Sequence, residues 1–277
     1  MLTTTVDGLW VLQVLSGIET LAPELGLRPY LPSGESTALA LSHPITRELR
    51  AAGAINPDNS VDETLLEWLT VISRRDIALL MTVQTPAPNG VPDRILLGRF
   101  ARWWVALESS GITIRLSAAG TATDHSGACQ LINSHIERLC GTMQPAEFRP
   151  ISLELAPLLE HVRDRPGLHA FLGRQCLDAE QLDLLMRAAD SEVAAQASLI
   201  ALQSGVTGAP NRTQIERGAV TIIDTPSGRL VAEHINHTGR SWLLLSPGSE
   251  RAISGAVTAM LSRLPARDEW HSLRKVV

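Results

Sequence analysis

The sequence predicts an α+β fold: a central, largely antiparallel sheet carrying helical bundles, with the second half repeating the first about a quasi-two-fold axis. Three observations lead there. The order strand–helix, helix, three strands, helix occurs twice in the 277 residues. The strand-like runs within each half are joined by turns too short to cross between parallel neighbours. The two closing helices carry the same apolar stripe at a constant offset of 125 residues.

The elements follow in order. Residues 3–6 read as a short strand and run into an amphipathic helix with Val11, Val14, Leu15 and Ile18 at i, i+3, i+4, i+7. After a loop-rich stretch comes a helix bearing Val61, Leu65, Leu66, Trp68, Leu69 and Ile72. Runs 76–84, 95–107 and 112–117 read as strands, and a helix with Ala128, Leu131, Ile132, His135, Ile136 and Leu139 closes the half. In the second half Ser152–Leu155 is a strand, leading into a helix with Leu155, Leu158, Leu159 and Val162 that Pro166-Gly167 is expected to end. Asp178 caps the next helix, with Gln181 placed for the reciprocal bond of a capping box. Leu182, Leu185, Met186 and Ala189 form its stripe, and an alanine-rich helix is expected over 192–203. Strands at 219–224, 229–235 and 241–246 are joined by Pro226-Ser227-Gly228 and Asn236-His237-Thr238-Gly239. Ile253, Ala256, Val257, Met260, Leu261 and Leu264 then repeat the closing stripe. The expectation is one domain over 1–277, made of halves at about 1–150 and 151–277, with flexible turn-rich segments at 85–93 and 204–218.

Composition excludes several classes. Twenty-four Lys and Arg against 29 Asp and Glu leave a net charge of −5, and Lys275 is the sole lysine. A phosphate-tracking surface concentrates basic residues, so nucleic acid is not an expected partner. Cys129, Cys140 and Cys176 imply no disulfide framework and suit a reducing compartment. The start, Met1-Leu2-Thr3-Thr4-Thr5, has no basic n-region, and no apolar run approaches the ~18–20 residues of a membrane span. The cytoplasm is the expected location, without membrane insertion.

Candidate chemistry is sparse. Gly208-Ala209-Pro210-Asn211-Arg212 lacks the preceding strand and the following Lys-Ser/Thr of a phosphate loop. His125, Cys129 and His135 make the best metal-like group. Spacing puts only the first two on a shared helical face, and His135 takes the stripe position of Met260. Asp124-His125-Ser126 holds the letters of a catalytic triad, but consecutive residues at a helix start diverge, and Asp there is the usual N-cap. No catalytic residue, metal or cofactor is therefore expected. Two alternatives stay open: a hydrolase using His125 with Ser126 or Cys129, and a structural module dimerising through an edge strand.

The aromatic run is the stronger pointer. Read as one strand, Arg99–Glu108 sets Ala101, Trp103, Val105 and Leu107 on an ordinary apolar face. Phe100, Arg102, Trp104, Ala106 and Glu108 lie on the other, mixing aromatics with charge. Trp and Arg are the types enriched in binding hot spots. The expected partner-binding surface is a bare sheet face with Phe100, Arg102 and Trp104, extended by Leu230, Ala232 and His234. The competing reading covers both faces with helices and makes Trp104 core.

Four segments carry a resemblance: Val6-Asp-Gly-Leu-Trp-Val-Leu-Gln13, Pro23-Glu-Leu-Gly-Leu-Arg-Pro-Tyr30, Trp103-Trp104-Val105, and Leu264-Pro265 through Glu269-Trp270. By their order and extent the chain resembles the EspG family of type VII (ESX) secretion-associated proteins of mycobacteria, on the side of the system numbered two. The resemblance implies a cytosolic chaperone; a monomer or weak dimer is the expected state. Such a chaperone binds the apolar helical tip of the PPE subunit of a PE–PPE heterodimer, keeps the dimer soluble and directs it to its secretion system. It also implies that the sheet and the C-terminal helical half grip the partner.

Overall fold

The computed structural model describes residues 1–86, 90–206 and 209–272, with backbone alone at 206 and 209–212. The first half comprises β1 (Leu2–Thr5), α1 (Val6–Ser16), α2 (Thr37–Ser42), α3 (Ile45–Ala51), α4 (Glu63–Arg74), β2 (Ile77–Gln84), β3 (Asp93–Phe100), β4 (Trp103–Ser110), β5 (Thr113–Thr121) and α5 (His125–Cys140). The second comprises β6 (Ile151–Glu154), α6 (Leu155–His161), α7 (Arg165–Leu172), α8 (Ala179–Ala188), β7 (Ala195–Val206), β8 (Ala209–Ile215), β9 (Ala219–Thr225), β10 (Gly228–His237), β11 (Arg240–Pro247), α9 (Glu250–Ser262) and a 3-10 turn at Arg267–Glu269.

The strands form one antiparallel sheet in the order β1-β5-β4-β3-β2-β7-β9-β10-β11-β6, with β8 paired to the end of β7. Read inward from each edge, both halves run in the same sequence, and β2 and β7 meet in the middle. Side-chain contacts repeat the symmetry. Glu108 on β4 pairs with Arg138 on α5, and Glu233 on β10 pairs with Arg263 on α9 at 3.1 Å, each residue 125 positions after its counterpart. Where α5 crosses α9, Asn133 Nδ2 donates to Ser254 Oγ at 2.9 Å, and Cys129 Sγ lies 3.7 Å from Thr258 Oγ1. Shifting Cys129 and Asn133 by 125 gives Ser254 and Thr258, so these contacts are symmetry mates.

Strand alternation sends side chains to two faces. On the upper face α1–α4 cover β3–β5, burying Leu9, Leu12, Leu69 and Ile72 against Leu96, Val105 and Leu107. The helices α6–α8 cover β9–β11, burying Phe171, Leu184 and Leu185 against Ile223, Leu230 and Leu245. The lower face is covered at its centre by α5 and α9, which press Ile132, Ile136, Val257 and Met260 onto Leu79, Leu97, Ala106, Leu199 and Ile222. A wholly buried ion pair sits in that lower layer: Arg99 Nη2 lies 2.9 Å from Asp76 Oδ2, and Arg99 Nη1 donates to the Trp270 carbonyl at 2.7 Å. The Trp270 ring itself is fully enclosed.

Several expectations need correction. Residues 192–203 are not a helix: β7 occupies 195–206 at the sheet centre, paired with β2 along one side and with β9 and β8 along the other. Alanine favours helices locally, but Ala197 and Ala201 let α9 approach closely, and the sheet pairing overrides propensity. The run 95–107 is two strands. Phe100 pairs with Trp103 across a two-residue turn at Ala101-Arg102, where Ala101 has a left-handed φ of 55°. That turn carries none of the Gly or Asn that usually announces one. Pro166 does not end a helix but lies in the first turn of α7, capped by Asp164. The Asp178 cap forms at 2.8 Å, but Gln181 does not return the bond; its amide donates instead to the Arg149 carbonyl at 3.0 Å. The loop-rich stretch contains α2 and α3. Of the segments expected to be flexible, 87–89 and 207–208 lie outside the described residues, whereas 204–206 and 209–215 belong to β7 and β8.

Candidate partner-binding surface

The six residues expected on one bare face do not share one. The hairpin at Ala101-Arg102 breaks the alternation on which that grouping rests. Trp104 points to the lower face and is 1% exposed, sealed in the cluster beneath α5 and α9. Phe100 points up and packs, half-buried, against the layer under α1–α4. Arg102 stays outside in the turn, its guanidinium carbon 5.1 Å from the centroid of the exposed Trp103 ring. Leu230 and Ala232 are buried beneath α6–α8. His234, one step further along β10, is half-buried, with Nε2 enclosed and without a partner.

The bare surface lies elsewhere. Each helical group on the upper face stays over its own half, leaving half-buried side chains on β2 and β7 between them. Three cross-strand pairs define this strip: Leu80 with Ile200, Thr82 with Ser198, and Gln84 with Gln196. The hydroxyl row continues onto β9, where Thr221 Oγ1 lies 3.0 Å from Ser198 Oγ. Beyond the Leu80–Ile200 pair, Ile215 of β8 stands 60% exposed opposite Leu202. His234, paired with Ala219, borders the same end, the one expected residue the strip includes. The strip is therefore graded from aliphatic through hydroxyl to amide. Its signal was present in the run 76–84, where Ile77, Leu79, Met81 and Val83 are uniformly apolar while Ala78, Leu80, Thr82 and Gln84 become polar.

The residues of the enzyme alternative sit on the opposite face. His125 is exposed at the start of α5, with Nδ1 3.7 Å from Cys129 Sγ. Asp124 is occupied as the N-cap, accepting from Gly127 N at 2.8 Å. His135 faces Glu108 and Arg138, away from Cys129. Burial, reinforced by the Arg138 charge, holds its pKa down at about 4 against the pull of Glu108. Among the described residues, no three His, Cys, Asp or Glu side chains converge as a metal site. Nor is any described helix long and apolar enough to cross a membrane.

A sequence profile of the EspG family matches residues 5–259. The chain belongs to the EspG family. The ESX-2 secretion-associated protein EspG2 of Mycobacterium tuberculosis is 46% identical over 278 residues, with all of both chains covered. EspG5, the ESX-5 secretion-associated protein of the same species, is 24% identical, covering 99% of this chain and 97% of its own. Among solved structures, the type VII secretion chaperone EspG5 of M. tuberculosis, in complex with a PE25–PPE41 dimer, superposes with a TM-score of 0.77 at 22% identity. That match covers 98% of this chain and 99% of the other. This EspG protein is an ESX-2-like paralogue with the family's sheet and helical layers.

Proposed function

We propose that this EspG protein acts as one domain in the cytosol, as a chaperone without enzymatic activity. It would receive the apolar helical tip of the PPE subunit of a PE–PPE heterodimer and direct that dimer to an ESX-2-like secretion system. The observation that carries the reading is the strip between the helical groups, with Leu80, Ile200 and Ile215 at its apolar end. An uncovered sheet centre walled by helices is a concave seat for a tip that would otherwise be exposed to water. The solved relative, held with a PE25–PPE41 dimer on the same fold, supports the partner class. The helix α8 forms the wall on the second-half side, consistent with a grip by the sheet and the C-terminal helices. Arg102 and Trp104 drop out of the contact surface; His234 stays at its border.

The test is co-expression with a panel of PE–PPE dimers and co-purification by size exclusion. Wild-type protein is expected to hold at least one dimer in a stable complex. Ile200→Glu is expected to weaken it by at least about 2 kcal/mol, roughly thirtyfold, because a charge is then desolvated at the seat. Undiminished binding by Ile200→Glu rejects this surface.

A further inference from the structure

The strip is nearly neutral, with one exception. Across the sheet, the register aligns Ser109, Arg94, Thr82, Ser198, Thr221 and Ala232 in one upper-face row, and Arg94 is the charged member. It stands beside Thr82, at the edge of the seat. Its side chain is exposed, and among the described residues no carboxylate pairs with it. Its Nη1 stands near the first-half wall, 3.8 Å from where a Cβ on Gly26 would sit. Gly26 ends the turn Pro23–Leu25 in a left-handed conformation, φ 78°, which an L side chain rarely adopts. A side chain at that position would approach the guanidinium, so the glycine leaves Arg94 room next to the seat.

We infer that the strip selects a partner whose apolar tip carries a carboxylate beside it, and that Arg94 is the residue that reads that charge. The inference rests on the chaperone reading above. It adds the partner's chemistry and its orientation. Apolar side chains sit over Leu80, Ile200 and Ile215, and the carboxylate faces Arg94 at the β3 end of the hydroxyl row. Gln196 contributes little at the amide end, because its Nε2 already donates to the Ala188 carbonyl at 3.0 Å. A tip with a cation in the same place meets Arg94 as a like charge, and charges at an interface rim set on-rate and exclude wrong partners. A bidentate guanidinium fits a carboxylate better than a point charge does.

The experiment uses full-length protein and whichever PE–PPE dimer the wild type retains from the panel, with Kd measured at low and high salt. Arg94→Glu is expected to bind about tenfold more weakly at low salt, with the gap closing at high salt as the charges are screened. Arg94→Lys is expected to bind between wild type and Arg94→Glu, keeping the charge and losing the bidentate fit. Replacing the acidic residue of the tip by lysine is expected to restore binding to Arg94→Glu. If Arg94→Glu matches wild type at both salts while Ile200→Glu loses binding, the charge selection is overturned and the chaperone reading stands. If the wild type retains no dimer, or Ile200→Glu binds as well as wild type, that reading fails and this inference with it.

Discussion

At the centre of the sheet the two faces receive opposite treatment from one internal symmetry. On the lower face the closing helices reach inward and meet, α5 on α9, through the mated contacts Asn133–Ser254 and Cys129–Thr258. On the upper face α4 lies over β3 and β4 and α8 over β9, and the ground between them is left to Leu80, Thr82, Ser198 and Ile200. The composition follows the cover. Beneath α5 and α9 the central strands offer Ile77, Leu79, Met81, Ala197, Leu199 and Ala201; on the open side the same strands mix aliphatic, hydroxyl and amide groups. Duplicating a half-sheet and joining it at the middle strands thus gives a sealed floor and an open seat.

That contrast predicts separable damage. The largest effect is expected on the floor: Trp104→Ala removes a wholly buried indole and should cost about 3–5 kcal/mol in urea unfolding. Ile200→Glu, on the seat, is expected to leave the unfolding free energy within about 1 kcal/mol of wild type while losing the partner. Equal destabilisation by both would mean that the seat is core.

The next effect concerns pH. His135 occupies the stripe position that Met260 fills in the other half, and its folded pKa of about 4 lies below the ordinary 6.5. The unfolded chain therefore binds a proton there between pH 6.5 and 4 that the folded protein refuses. Stability is unaffected above that window, falls as pH drops through it, and levels off below. His135→Met is expected to remove on the order of 2 kcal/mol of that acid sensitivity, read as the difference in unfolding free energy between pH 7 and 4.5. An identical pH dependence in both proteins would show the imidazole to be solvated.

The smallest effect compares the mated ion pairs. Arg138 is half exposed and among the described residues meets Glu108 as its one carboxylate, whereas Arg263 is less exposed and bonds both Glu233 and Glu216. Arg263→Ala is expected to cost about 1 kcal/mol and Arg138→Ala about half that. A reversed order by urea unfolding would remove the extra Glu216 bond as the distinguishing cause.

Most of the repeat was legible in the sequence because helices announce themselves by long stripes and caps. The 125-residue offset of the closing helices holds in space down to the Glu108–Arg138 and Glu233–Arg263 pairs. Two errors concealed each other. Fusing β3 with β4 removed one strand from the first half, and taking β7 for a helix removed the counterpart of β2 from the second, so the three-against-three match survived although its strands were not true counterparts; β8 went unread as well. The hairpin escaped because its turn uses Ala101 and Arg102, and β7 because alanine at 195, 197 and 201 serves close helix-on-sheet packing. The surface was less legible, since grouping Phe100 with Trp104 required one unbroken strand. The two-residue turn puts Phe100 on the upper face, while Trp104 keeps the face of Ala106, which α5 and α9 cover.

The bond from Arg99 to the Trp270 carbonyl bears on how the molecule is made. The two ends of that contact are 171 residues apart in sequence, and the tryptophan plugs the same layer that holds Trp104 and the Arg99–Asp76 pair. During synthesis the N-terminal half emerges with only α5 over that layer, and the Arg99–Asp76 pair gains its Trp270 contact only after α9 has been made. That layer is therefore closed late, after the upper-face helices of both halves have already been made.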